Sequence, residues 1–431
     1  MTEVDLLIHD AALLLPLDDG DGGALPGGAM DALRVVENGA VAVRDGLIAA
    51  VGETPALAGA TRLRDGGVDV DASGATVMPA FVDPHTHVVF AGSREWEFEE
   101  RLRGKSYMEI ARAGGGIRSS VRAFRQASDE EILRQSRRRV ERMLGLGTAV
   151  VEVKSGYGLD AEQELRALRL IRELGRQVPA EIHATFLGAH EIPDGYRDRP
   201  DRYVDLVVEE MIPRVAEEGL ATFCDVFCEE GVFSVAQSEK ILTAARRHGL
   251  RPKLHADELS SLGGAELAAR VGAVSADHLL YPSDAGLQAM QAAGVVPVLL
   301  PATSYSLGSA TYAPARKMIA LGLPVSLATD CNPGSSMTES MPLAISLACL
   351  QMGLTPAEAV AAATRNAAAA LDLAGEVGRL APGYRAHIQI LDAPSYSTLP
   401  YHVGVSHVRD LFVAGRGVIR DGRAASTGCS S

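Results

Sequence analysis

Eight times between residue 79 and about residue 378, a short apolar run gives way to a stretch with helical spacing. In order the runs are "AFVDPHTHVVF", "GTAVVEVKSGYG", "EIHATFLGAH", "FCDVFCEEG", "RPKLHADEL", "GAVSADHLL", "GVVPVLLPAT" and "PVSLATDCNPG". Stretches such as "DAEQELRALRLIRELGRQ" and "GGAELAARVG" lie between them and carry good helix formers at amphipathic spacing. Strand and helix in strict alternation predict a parallel sheet. Eight such units predict an α/β fold of the (β/α)₈ TIM-barrel type.

The two ends of the chain read differently. Residues 1–78 and 379–431 consist of short alternating strands broken by Gly and Asp, as in "ALRVVENGAVAVRDGLIAAVGE" and "VRDLFVAGRGVIRDGR". One small composite β domain, of β-sandwich type and assembled from both termini, is expected to flank a barrel of residues 79–378. The stretch "LDDGDGGALPGGAMD" lacks core composition and is expected to be a loose surface loop. A formal charge of -14 argues against nucleic acid or an anionic membrane as partner. No apolar run approaches the roughly 20 residues of a membrane span, and the N-terminus has no signal-peptide pattern. A cytoplasmic protein is expected. Five scattered cysteines suit a reducing compartment, and Cys224 and Cys228, four residues apart on a strand, sit about 13 Å from each other, too far to share a bridge.

In such a barrel the reactive groups sit at the C-terminal ends of the strands. His85 and His87 close the first run, and residues i and i+2 of a strand share a face, so both imidazoles can reach one ion. His255 closes the fifth run, His278 the sixth and Asp330 the eighth. Three imidazoles and one carboxylate make a mononuclear site for zinc or iron with room for water. His183 lies mid-strand and is expected to be a core histidine with its hydrogen bonds met; His9, His248, His387, His402 and His407 are given no site role.

The segments "PAFVDPHTHVVFAGSRE", "VEVKSGYGL", "FLGAHEIP", "KLHADEL", "SADHLL" and "ATDCNPGS" together resemble the imidazolonepropionase family of the metal-dependent amidohydrolase superfamily. The resemblance spans nearly the whole chain. It implies hydrolysis of 4-imidazolone-5-propanoate to N-formimidoyl-L-glutamate, a step of histidine degradation. It implies metal ligation by His85, His87, His255 and Asp330, and substrate contact by Arg94, Tyr157, His190, Glu258, Asn332, Gly334 and Ser335. Arg94 offers a fork suited to the propanoate, against the plainer alternative of a salt bridge to Glu95 or Glu97. The implied chemistry is attack of metal-supplied hydroxide on the ring carbonyl, with His278 steadying the oxyanion. Glu258 or Asp330 then passes the proton to the leaving ring nitrogen. The expected partners are this small molecule and, in a homodimer, a second copy of the chain.

Two departures from the superfamily pattern, Pro79-Ala80 and Ala386-His387, fall outside the expected site. Lys154, on the second run, is not where a metal-bridging carboxylated lysine would stand. The glycine run of "ARAGGGIRSSVRAFR" is expected to form a flap or a simple helix entry, and the resemblance favours a flap over the barrel mouth. Two rival readings are an aminohydrolase of a heterocyclic amine, which has no use for Arg94, and a non-catalytic metal-binding barrel protein.

Overall fold

The computed structural model describes residues 1–105, 109–110 and 113–425. Eight parallel strands, β6 (Phe81–Asp83), β7 (Thr148–Lys154), β8 (Glu181–Ala189), β9 (Phe223–Cys228), β10 (Arg251–Ala256), β11 (Ser275–His278), β12 (Val296–Leu299) and β13 (Ser326–Leu327), lie side by side in chain order. The two outer strands meet just beyond their ends. Thr86 forms a parallel bridge with Cys331, the His87 N–H donates to the Cys331 carbonyl at 3.0 Å, and the Asp330 N–H donates to the His85 carbonyl at 3.1 Å. These bonds close the barrel at the level of the predicted ligands.

The connecting helices form where the residue pattern asks for them. In Asp129–Gly145, Ser128 caps the Glu131 N–H, three carboxylates occupy the first turn, and Ile132, Ser136, Val140 and Met143 bury one stripe. Ala161–Gln177 starts on an Asp160 cap and buries Leu165, Leu168 and Ile171 against the barrel. Each completely buried Leu or Ile contributes roughly 1.5–3 kcal/mol of transfer free energy, so the stripe more than the local propensity holds the helix in place. Among the described residues, no helix is long and apolar enough to cross a membrane.

The termini build the second sheet from β1 (Thr2–Leu14), β2 (Val36–Arg44), β3 (Leu47–Glu53), β4 (Thr61–Asp71) and β5 (Thr76–Pro79), with β14 (Ile388–Leu391), β15 (Val408–Val413), β16 (Arg416–Arg420) and β17 (Arg423–Ala424). The nine strands form one continuous sheet. The join is β14, which pairs antiparallel with β5. The sheet curls until β3 meets the segment before β14: the Ile48 N–H donates to Tyr384 and the Gly383 N–H to Ile48, both at 2.8 Å. Leu6, Ile8, Val41, Ile48, Val77, Ile390 and Phe412 form the core inside the curl.

Two expectations are corrected, and a third falls partly outside the described residues. Residues 17–31 are an ordered strap and not a loose loop: Leu25 and Met30 are buried in the barrel's core, and the Arg365 guanidinium donates to the carbonyls of Leu17, Asp21 and Gly23. A buried guanidinium needs partners for its donors, and the strap supplies three backbone carbonyls and the Asp19 carboxylate. The first strand ends at Asp83 and not at His87, because Pro84 has no N–H for the ladder. Of the glycine run expected as a flap, Ala111 and Arg112 lie outside the described residues, while Gly116 enters the helix Ile117–Gln126 with its N–H on Glu97 at 3.0 Å.

Candidate active site

Three imidazoles converge at the C-terminal end of the barrel. The His85 Nδ1 lies 2.6 Å from Asp277 Oδ2, and the His255 Nδ1 lies 3.0 Å from Asp225 Oδ1. Each carboxylate accepts an N–H, so each ring is fixed with its Nε2 lone pair toward the shared space. Ligand atoms of His85, His87 and His255 all fall within 4.8 Å of one another. Asp330 Oδ1 stands 3.4 Å from the Nε2 of both His85 and His87, while its Oδ2 accepts the Thr303 hydroxyl at 2.7 Å.

The electrostatics match a cation. His85 Nε2 is buried with no hydrogen-bond partner, a costly arrangement unless an electrophile is bound there. Burial pushes the His87 imidazole down to about 4 and keeps His278 and His190 well below the ordinary histidine value, so these rings are neutral. Burial would raise the Asp330 carboxyl, but the His85 and His87 rings outweigh it and hold it well below the usual range. Three imidazole nitrogens and one carboxylate form the donor set of a borderline ion such as zinc or iron. The structure brings His85, His87, His255 and Asp330, the four ligands expected from sequence, together at one place.

A layer of charge lies directly beneath. Lys154 Nζ, completely buried, is 2.8 Å from Glu152 Oε1, 2.8 Å from Asp225 Oδ2 and 3.7 Å from Asp277 Oδ2. The neighbouring carboxylates, against the cost of burial, keep its ammonium charged. It is therefore spent as a counter-charge and is no carboxylated metal bridge. Glu152, Asp225 and Asp277 were missed from sequence, and Lys154 was weighed only as a metal bridge, although "VEVK", "CDV" and "SADH" place charges at alternate positions inside apolar runs, the mark of inward-facing barrel residues.

His278 follows Asp277 directly, and a regular strand would send the two to opposite faces. Its φ of 77° breaks that alternation and brings its ring to 5.2 Å from His255 and 5.4 Å from His85. A non-glycine residue held there costs of order 1–3 kcal/mol, which the surrounding packing must supply. Glu258 Oε1 lies 3.6 Å from His278 Nδ1. Burial, aided by the charge of Asp330, pushes the Glu258 carboxyl up to about 8.

Buried carboxylates pin the loops of the mouth. Glu164 accepts the N–H groups of Gly156, Gly158 and Leu159 and so fixes the loop carrying Tyr157. Glu229 accepts those of Glu258 and Leu259. His190 Nδ1 bonds the Gly156 carbonyl at 3.0 Å, and its ring stacks on His87 with centroids 5.1 Å apart and 5.5 Å from that of Tyr157. Asn332 spends its amide on its own loop, donating to the Asp330 carbonyl and accepting from the Gly334 and Ser335 N–H groups at 2.8 Å. Cys331 is buried, and burial raises its thiol well above the ordinary value, which removes it as a nucleophile.

Arg94 departs from expectation in one respect. The ion pair weighed as its plainer alternative exists: Nε and Nη2 donate to the two carboxylate oxygens of Glu97, each at 2.8 Å. His183 and His387, set aside as structural, both bond Glu181, at 2.6 and 3.1 Å.

The model of the amidohydrolase family matches residues 76–418. An imidazolonepropionase of Geobacillus sp. (strain WCH70) is 49% identical over 419 residues, covering 97% of this chain and 99% of the relative. That of Syntrophobacter fumaroxidans is 53% identical over 380 residues, 88% of this chain and 89% of the relative. Among solved structures, a zinc-bound adenosine deaminase from Xanthomonas campestris shares the fold with a TM-score of 0.68 at 19% identity, over 99% of this chain and 95% of the other. The zinc complex of an atrazine chlorohydrolase from Arthrobacter aurescens shares it with a TM-score of 0.69 at 16% identity, over 98% and 97%.

Proposed function

The chain belongs to the imidazolonepropionases of the amidohydrolase family, and on that footing we propose how its residues open the ring of 4-imidazolone-5-propanoate to give N-formimidoyl-L-glutamate. It is a hydrolase of carbon–nitrogen bonds in cyclic amides. What carries the residue-level reading is one arrangement: a cluster of lone pairs fit for an ion, with a guanidinium on the loop beside it, at one barrel mouth.

His85, His87, His255 and Asp330 would hold one zinc or iron ion. Such an ion, when bound, supplies hydroxide near neutral pH and polarises a carbonyl. Asp277 and Asp225 orient two of the rings, and Thr303 orients Asp330. His278, neutral and buried, donates an N–H to the oxygen of the ring carbonyl as charge develops there. Asp330 has both oxygens engaged, one toward the ligands and one by Thr303. Glu258 is therefore the group that holds a proton at its carboxyl oxygen and delivers it to the leaving ring nitrogen. Tyr157 and His190 flank the ring, Arg94 grips the propanoate, and the loop of Asn332, Gly334 and Ser335 closes against it. The division into a barrel of 79–378 and a β domain of 1–78 with 379–431, a cytoplasmic setting and a homodimer complete the reading; nucleic acid and membrane have no part in it.

The test is turnover of freshly generated 4-imidazolone-5-propanoate, followed by loss of ultraviolet absorbance, with metal-loaded protein and a chelated control. Metal-dependent decay above the spontaneous rate, with N-formimidoyl-glutamate as product, is expected. No acceleration by protein shown to hold its metal would overturn the assignment.

A further inference from the structure

We propose that Glu97 is a positioning residue for substrate recognition, which selects the edge of the Arg94 guanidinium that is left to meet a carboxylate. The inference rests on the reading of Arg94 as the propanoate anchor.

A guanidinium carries five N–H donors and can meet a carboxylate along its side edge, Nε with Nη2, or along its end edge, Nη1 with Nη2. Glu97 takes the side edge completely, with both bonds at 2.8 Å. Three donors remain, and the only parallel pair among them is the end edge. The carboxylate is itself immobile: it is 2% exposed and accepts the Gly116 N–H at 3.0 Å. A β-carbon at Gly115 would come within 3.0 Å of the Glu97 carboxylate, so the glycine run brings the backbone up against it.

The opposite side of Arg94 is equally confined. A β-carbon at Gly334 would strike Nη1 and lie 2.8 Å from Cζ. Because Glu97 holds the guanidinium, Arg94 cannot swing aside to make room. The loop after Asp330 and the helix entry at Gly116 thus enclose one arginine in one orientation. Residues that look like a flap and a substrate loop in the sequence share this task.

Steady-state kinetics of Glu97→Gln test the idea, with Arg94→Met and Gly334→Ala beside it and metal content and thermal midpoint recorded for each. Gln keeps the shape but loses one of two charge-assisted bonds, so KM should rise about tenfold while kcat and bound metal stay within about twofold of the parent. Gly334→Ala, which leaves Glu97 untouched, should shift KM in the same direction and serves if Glu97→Gln does not fold. Combining Glu97→Gln with Arg94→Met should raise KM no further than Arg94→Met alone. A raised KM in Arg94→Met with unchanged KM in Glu97→Gln and Gly334→Ala would overturn the inference and leave the anchor standing. An unchanged KM in Arg94→Met would remove the anchor, and the inference with it.

Discussion

Asp330 and Glu258 are both buried acids at the same site, yet their surroundings drive them apart. Asp330 faces two imidazoles and stays ionised; Glu258 faces burial and a neighbouring negative charge and is pushed up to about 8. Pairs of acids separated in this way divide the roles of ligand and proton carrier. Glu258→Gln should accordingly keep its metal, by elemental analysis, and lose about 10²- to 10⁴-fold in kcat. Loss of metal from that variant would instead make Glu258 a ligand. The environment that separates the two acids comes from residues on several strands, and neither acid's own neighbours in sequence reveal it.

At the level of elements, the inner faces of β7, β9 and β11 carry an ionic layer under the candidate ligands. Asp225 and Asp277 orient His255 and His85, and Lys154 lies between the two carboxylates and Glu152. Replacing one partner of a buried ionic group leaves the others unpaired, at a cost of about 3–5 kcal/mol. Lys154→Met should lower the unfolding free energy, measured by denaturant titration, by that order, and its zinc affinity, read by chelator competition, should fall about 10- to 100-fold as the orienting carboxylates shift. A variant as stable as the parent would mean that the layer adjusts without its cation. Strand alternation makes these inward positions legible in principle. Which carboxylate meets which histidine is not legible, because strand register and barrel closure decide it.

The whole molecule is fastened at the end of the barrel opposite the site. Glu181 opens β8 and pairs with His183 on its own strand, and with Arg385 and His387 from the segment that leads into β14. Burial would raise its carboxyl, but these partners outweigh it and hold it far below the ordinary range. A depressed carboxyl stabilises the fold fully above its unfolded value of about 4.3, and that contribution disappears as pH falls below it toward the folded value. The difference in thermal midpoint between the parent and Glu181→Gln should therefore be greatest near neutral pH and narrow steadily as pH drops below about 5, without closing by about pH 3. A difference that did not change with pH would remove charge as its cause.

The alternation of eight strands and helices, the β sheet drawn from both termini and the candidate ligands near the strand ends were written in the sequence, because they depend on local periodicity and on residue chemistry. "HxH" states the close spacing of His85 and His87, although both lie just past the strand end at Asp83. Tertiary structure alone decided the rest. Asp277 reaches His85 across 192 residues of chain, and Arg365 finds its carbonyl partners in the strap 342–348 residues away. The edge of Arg94 left free depends on Glu97, Gly116 and Gly334 arriving from three segments. Hydrogen bonds and ion pairs act over a few ångströms, and only the closed barrel brings groups so distant in sequence within that range.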